Sequence, residues 1–134
     1  MILYHFCAAK HVKNILRKGL TMGGVTEVTP KGFVIHQGWN WLTLNGNPKE
    51  QSWEGRILIP YSRTAFRLTI NIPDDALDRL YDRERLLTVF PYSEPLFRGH
   101  PESEDWRAFQ GMIPREWIID SKDMRNGGVP NEVP

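Results

Sequence analysis

Few residues of this chain could do chemistry. His5 stands inside the opening alternation Ile2-Leu3-Tyr4-His5-Phe6-Cys7. An imidazole in the middle of a strand needs a partner, because a buried polar group without one costs about 1–3 kcal/mol. It is either a core histidine bonded to a backbone carbonyl or a group that holds a ligand. Cys7 points the same way from the same strand, and a small thiol at a strand-to-helix junction reads as packing. His5, His11, His36 and His100 are scattered, with no two of them three to five positions apart, so no histidine metal site is expected. Five tryptophans mark a rigid aromatic core or a pocket for a flat ring. Arg63 and Arg67 suit either a solvated sheet face or bidentate contact with phosphate. The acidic run Glu102-Ser103-Glu104-Asp105, taken alone, is a solvated loop end. There is no Gly-rich phosphate loop and no Gly-x-Ser-x-Gly elbow.

The elements that must position these residues follow from periodicity. Residues 2–6 alternate as a strand, with Ile2, Tyr4 and Phe6 on one face and Leu3, His5 and Cys7 on the other. A helix is predicted from Ala8 to Lys18, with Val12, Ile15 and Leu16 on its apolar stripe and Gly19 as its stop. Thr21 to Gly32 reads as a polar, Gly-rich connection. A strand over Phe33–Asn45 follows, broken or bulged at Gly38. Past that break Trp39, Trp41 and Thr43 share one face, and Leu42 and Leu44 take the other. Asn45-Gly46-Asn47-Pro48 is a turn, and Pro48 opens a short helix through Trp53. Thr64–Ile72 is the clearest strand, with Phe66, Leu68, Ile70 and Ile72 inward and Arg67, Thr69 and Asn71 outward. Pro73-Asp74-Asp75 starts a helix that includes Leu77, Leu80 and Tyr81. Pro91 to Glu104 is a long loop of the kind that tends to carry function. A last strand covers Trp106–Met112, followed by Trp117-Ile118-Ile119. The tail from Ser121 to Pro134 is polar and expected to fray.

The expected architecture is α+β, a mostly antiparallel split sheet with two or three short helices, in one domain over residues 1–120 with a flexible tail at 121–134. With 134 residues, 40% hydrophobic and 25% charged, the chain can bury a sizeable core. Seventeen Lys and Arg against sixteen Asp and Glu leave no bulk electrostatic footprint for nucleic acid or membrane. One cysteine excludes an internal disulfide and fits a reducing, cytoplasmic setting. The first residues lack the pattern of a signal peptide, and no apolar run is long enough to span a bilayer.

Leu3-Tyr4-His5-Phe6, then Ile15-Leu16 and Gly19-Leu20, resembles the opening "YHxT…I(L)xxGL" of the ADP-ribosyltransferase-like fold. That fold includes bacterial rifampin-modifying and DNA-modifying transferases and the RNA 2′-phosphotransferases. In its His-Tyr-Glu branch the first-strand histidine holds a ribose hydroxyl of NAD. An aromatic residue on a second strand stacks on nicotinamide. A glutamate opening a late strand grips the nicotinamide ribose and steers departure of nicotinamide through an oxocarbenium-like state. Here His5 resembles the first element and Trp41-Leu42-Thr43 the second, with Trp in place of Tyr. Glu104-Asp105-Trp106-Arg107-Ala108-Phe109 resembles the third. Aligning Trp106 with the family's aromatic residue puts Asp105, not Glu104, at the catalytic place. The stretch from Arg63 through Arg67 to Pro73 looks like the middle strand of small members, and together these segments span most of residues 1–119.

The resemblance implies an NAD-dependent ADP-ribosyltransferase acting on a protein or nucleic-acid acceptor. His5 would hold ribose, Trp41 would lie under nicotinamide with Thr43 near the same pocket, and Asp105 or Glu104 would be the carboxylate. Arg67 or Arg63 would meet the pyrophosphate, and the loop Pro91–Glu104 would lie beside the pocket and help choose the acceptor. Such chemistry needs a polar anchor, a flat platform and a carboxylate beside developing positive charge. The rival is a non-catalytic binder on the same fold, for example a phage-encoded inhibitor of a host protein, which the carboxylate departure would suit. RNA 2′-phosphotransfer ranks lower, since it calls for more basic residues than a balanced chain offers.

Overall fold

In a computed structural model, which describes residues 1–53 and 62–125, β1 (Ile2–Cys7) leads through a 3-10 turn at Ala9–His11 into α1 (Val12–Lys18). β2 (Gly24–Thr29) and β3 (Gly32–Gln37) form a hairpin, and β4 (Trp39–Thr43) follows directly after Gly38. After a 3-10 turn at Pro48–Glu50 come β5 (Phe66–Asn71), a 3-10 turn at Asp74–Arg79, β6 (Leu80–Tyr81) and α2 (Arg83–Val89). Two further 3-10 turns, Pro91–Leu96 and Pro101–Asp105, precede β7 (Trp106–Gln110), and β8 (Ile118–Asp123) closes the described chain. This is a small α+β domain with an antiparallel sheet and few short helices.

The main sheet runs β6-β7-β4-β1-β5-β8, each strand antiparallel to its neighbour. β1 and β5 form its spine, in register from Ile2↔Asn71 to Cys7↔Phe66. Leu3, Leu68, Ile70 and Ile72 are fully buried along it, each such side chain contributing about 1.5–3 kcal/mol of apolar burial. The alternation expected of β4 holds. Leu42 packs with Leu3, Phe109 and Ile113 on one face, while Trp39 and Trp41 pack with Val25, Leu86 and Phe97 on the other.

Several segments depart from the sequence expectations. The helix expected over Ala8–Lys18 is a 3-10 turn followed by the shorter α1, with no side-chain cap at its start. Its stop is Gly19 as expected, where the chain bends into the Leu20↔Ile113 bridge. The connection expected over Thr21–Gly32 contains β2. Its inward positions are Val25 and Glu27, so a carboxylate occupies a slot where an apolar residue would have signalled a strand. Glu27 is satisfied there, because Oε1 bonds His36 Nε2 at 2.7 Å and Oε2 accepts the Tyr92 N–H at 2.9 Å. His36 also stacks on Phe90 at 4.2 Å, which fastens the hairpin to the Pro91–Leu96 turn.

Leu80 and Tyr81, expected in a helix from Pro73, instead pair with Phe109 and Ala108. α2 begins after them, capped by Asp82, whose carboxylate accepts the Arg85 N–H at 2.8 Å. The loop expected from Pro91 is two 3-10 turns, each with proline in its first positions. Ser121 to Asp123, expected in the tail, pair with Leu68, Arg67 and Phe66, so the folded domain passes residue 120. These residues are polar because β8 is the sheet's outer strand, where side chains meet water. The remainder of the expected tail, 126–134, lies outside the described residues. Among the described residues no helix is long and apolar enough to cross a membrane.

Candidate functional site

The site begins where the central sheet splits. β1 and β4 share one register pair, Tyr4↔Thr43, whereas β1 and β5 pair along the whole strand. Beyond that pair a side chain does the bridging: His5 Nδ1–H donates to the Trp41 carbonyl at 2.8 Å. The carbonyl can only accept, so the proton is on Nδ1 and the lone pair is left on Nε2. Burial pushes the His5 imidazole below its ordinary pKa, against the opposing pull of the Trp41 carbonyl, so the ring is neutral at neutral pH.

The gap is a cleft of about 390 Å³. Consecutive residues of both strands line it, Tyr4-His5-Phe6 on one side and Trp41-Leu42-Thr43 on the other. The hairpin supplies Gly24 and Thr26, and Trp53, His100 and Trp106 close the far side. Trp41 is held by its Nε1–H, which donates to the Gly24 carbonyl at 3.0 Å. Its ring meets Phe97 and Trp106 edge-on, at 6.0 Å and 6.2 Å. Thr43 is buried, with its Oγ1 accepting the Asn45 N–H at 3.1 Å.

A second hollow, of about 460 Å³, lies against α1 and reaches Asn14, Gly19 and Asn40. His5, Phe6, Trp41, Trp53 and Arg63 line both spaces, so the two chambers lie side by side with these residues as their common wall. Arg63 donates through Nη2 to the Trp53 carbonyl at 2.6 Å, and its guanidinium lies 4.9 Å from the centre of the Trp53 ring. Among the described residues, the first chamber is lined by one guanidinium, two imidazoles and three indoles, with no carboxylate. Such a surface suits an anionic ligand with flat rings.

Of the residues singled out in the sequence, His5, Trp41, Thr43 and Arg63 come together here. Arg67 does not. Its Nη1 donates to the Gly46 carbonyl at 2.9 Å and its guanidinium covers the Tyr4 ring at 5.0 Å. Its Nε is buried without a partner among the described residues. Glu104 and Asp105 line neither chamber. The Glu104 side chain is 77% exposed, 3.8 Å from Arg83, and Asp105 is half-buried with its carbonyl accepting the Leu44 N–H at 2.9 Å.

The carboxylate that folds inward beside the cleft is Glu102, in the same acidic run. Its Oε1 accepts the Ser52 N–H at 2.8 Å and the Ser52 Oγ–H at 2.5 Å. Burial alone would raise the Glu102 carboxyl, but hydrogen bonds from Ser52 and backbone N–H groups, with His100 beside it, hold it below its ordinary pKa. Ser52, His100 and Glu102 were not among the residues expected from sequence. The available signal was the length of the Pro91–Glu104 segment, because nothing local ties His100 to a serine 48 positions earlier. Compared with protein-family models, with curated proteins and with solved structures, the chain matches none.

Proposed function

We propose that this chain is an ADP-ribosyltransferase-like domain that binds NAD in the split of its sheet and transfers ADP-ribose to a protein or nucleic-acid acceptor. The observation that carries the proposal is His5: a neutral imidazole at the split, its Nδ1 proton spent on the Trp41 carbonyl and its Nε2 left as an acceptor for a ribose hydroxyl. The three segments that resemble the family support it further, since β1, β4 and β7 are consecutive in the sheet. Two adjacent chambers with Arg63 on their common wall fit a ligand made of two nucleoside halves joined by a pyrophosphate. The three indoles of the first chamber provide a site for a flat pyridine ring. When bound, NAD supplies the ADP-ribosyl group, the ribose C1′–N bond breaking with its electron pair going to neutral nicotinamide. The chain's part is to anchor ribose through His5, flank the ring with Trp41, and meet the pyrophosphate with Arg63.

The placement of Glu104 and Asp105 outside both chambers favours a second reading, a binder on the same fold without turnover. Calorimetry with NAD, together with an assay for released nicotinamide, separates the two. The enzyme binds NAD and releases nicotinamide, and the binder of a macromolecule does neither.

A further inference from the structure

Beside the cleft, Ser52, His100 and Glu102 form a relay whose polarity follows from proton counting. Glu102 is buried, with its side chain only 6% exposed, and hydrogen-bonded as a carboxylate, so it can only accept. The one proton of Ser52 Oγ therefore goes to Glu102 Oε1 at 2.5 Å. Ser52 Oγ is then the acceptor for His100 Nδ1, also at 2.5 Å, and His100 must bring the proton of that bond. In neutral His100 this places the hydrogen on Nδ1 and the lone pair on Nε2. Glu102 itself stays 3.9 Å from His100 Nδ1, so serine is the link. The imidazole is set against Trp106, with ring centres 5.2 Å apart, and lines the first chamber. With the Nδ1 edge turned to Ser52, Nε2 is the nitrogen left to meet a ligand.

We infer that His100 is a general base of the cleft, held as its Nδ1–H tautomer by Ser52 and Glu102, and takes the proton of the nucleophile that attacks the ribose C1′ of NAD. The step rests on the proposed function. With water as the acceptor, the water oxygen bonds C1′ as the C1′–N bond breaks. The breaking bond's electron pair leaves with nicotinamide, and the water's proton passes to His100 Nε2 and then to solvent. Ser52 and Glu102 are positioning residues. The relay supplies a proton acceptor in a chamber with no carboxylate of its own among the described residues.

The first test needs neither NAD nor turnover. Nitrogen-15 NMR of the imidazoles in the full chain should find neutral His100 protonated on Nδ1, whereas a free imidazole favours Nε2–H. Ser52→Ala should move the proton to Nε2, and Ser52→Thr, which keeps the hydroxyl, should restore Nδ1–H. The second test uses NAD with water as acceptor. His100→Gln should lower kcat for nicotinamide release by about 10²–10⁴-fold, the usual contribution of a general base, with a much smaller change in KM. Ser52→Ala should lose part of that rate and Ser52→Thr should recover it. An Nε2–H tautomer in the wild-type chain, or NAD bound by His100→Gln and turned over at the wild-type rate, overturns the inference alone. Failure of the wild-type chain to release nicotinamide overturns the proposed function and this step with it.

Discussion

Replacing Gly19 by alanine should unfold much of what supports the second chamber. Gly19 follows α1 with φ +84° and ψ −175°, a region that only glycine occupies without strain. A side chain there costs about 1–3 kcal/mol through the backbone alone. The added Cβ would also lie 2.2 Å from the Ile113 carbonyl oxygen and 3.1 Å from the Arg115 nitrogen. Both neighbours are backbone, so relief has to come from opening the Leu20–Ile113 bridge, whose two hydrogen bonds are 2.9 Å and 3.0 Å long. At about 1 kcal/mol net for each bond, the total loss is about 4 kcal/mol, a large share of the 5–15 kcal/mol typical of a domain. Urea unfolding should show a midpoint lowered by about 2 M for a slope near 2 kcal/mol per M. Gly32→Ala is the control, since Gly32 has φ +120° but nothing within 4 Å of an added Cβ. It should carry only the backbone part. A Gly19→Ala loss no larger than that of Gly32→Ala would refute the steric half of this reasoning.

Two more outcomes follow from the buried groups. Folding lowers the pKa of His5 from 6.5, so below that pH the unfolded chain binds more protons than the folded one. Stability contributed by neutral His5 is therefore complete above pH 6.5 and lost as pH falls toward the lower folded value, with a slope of at most about 1.4 kcal/mol per pH unit. Urea midpoints at pH 7 and pH 5 should differ more for the wild-type chain than for His5→Gln, and equal differences would contradict the burial of His5. Burial raises the Cys7 thiol to about 11. At pH 8 a disulfide exchange reagent should label Cys7 far more slowly in the native chain than in urea, and equal rates would mean that the junction is open.

The parts of the fold that were legible in the sequence are those whose signal is local. The stretch through β5 to Ile72 alternates cleanly because Leu68, Ile70 and Ile72 are all buried. Gly19 and Gly38 interrupt where the backbone turns. β2 was hidden because its buried slot holds Glu27, satisfied by His36 and Tyr92, which no window on residues 24–29 contains. β8 was hidden because Ser121-Lys122-Asp123 are polar at a sheet edge, and only the partner β5 makes them a strand. The same division runs through the site. The strands that carry His5 and Trp41 are readable from alternation, but only the family resemblance set the two residues side by side, since the His5 ring and the Trp41 carbonyl meet across 36 positions. The acidic run was readable as a source of carboxylate, but which member turns inward depends on Ser52, 50 positions away from Glu102. Arg67 was placed correctly on its strand, yet its guanidinium is drawn to Tyr4 and Gly46 across the sheet.

The most direct test of NAD binding at the split is a crystal structure of the chain with NAD. The account predicts the nucleotide across both chambers, with a ribose hydroxyl within about 2.7–3.2 Å of His5 Nε2 and the pyrophosphate against Arg63. NAD seated elsewhere, or lying in the cleft with its riboses turned away from His5, would contradict it.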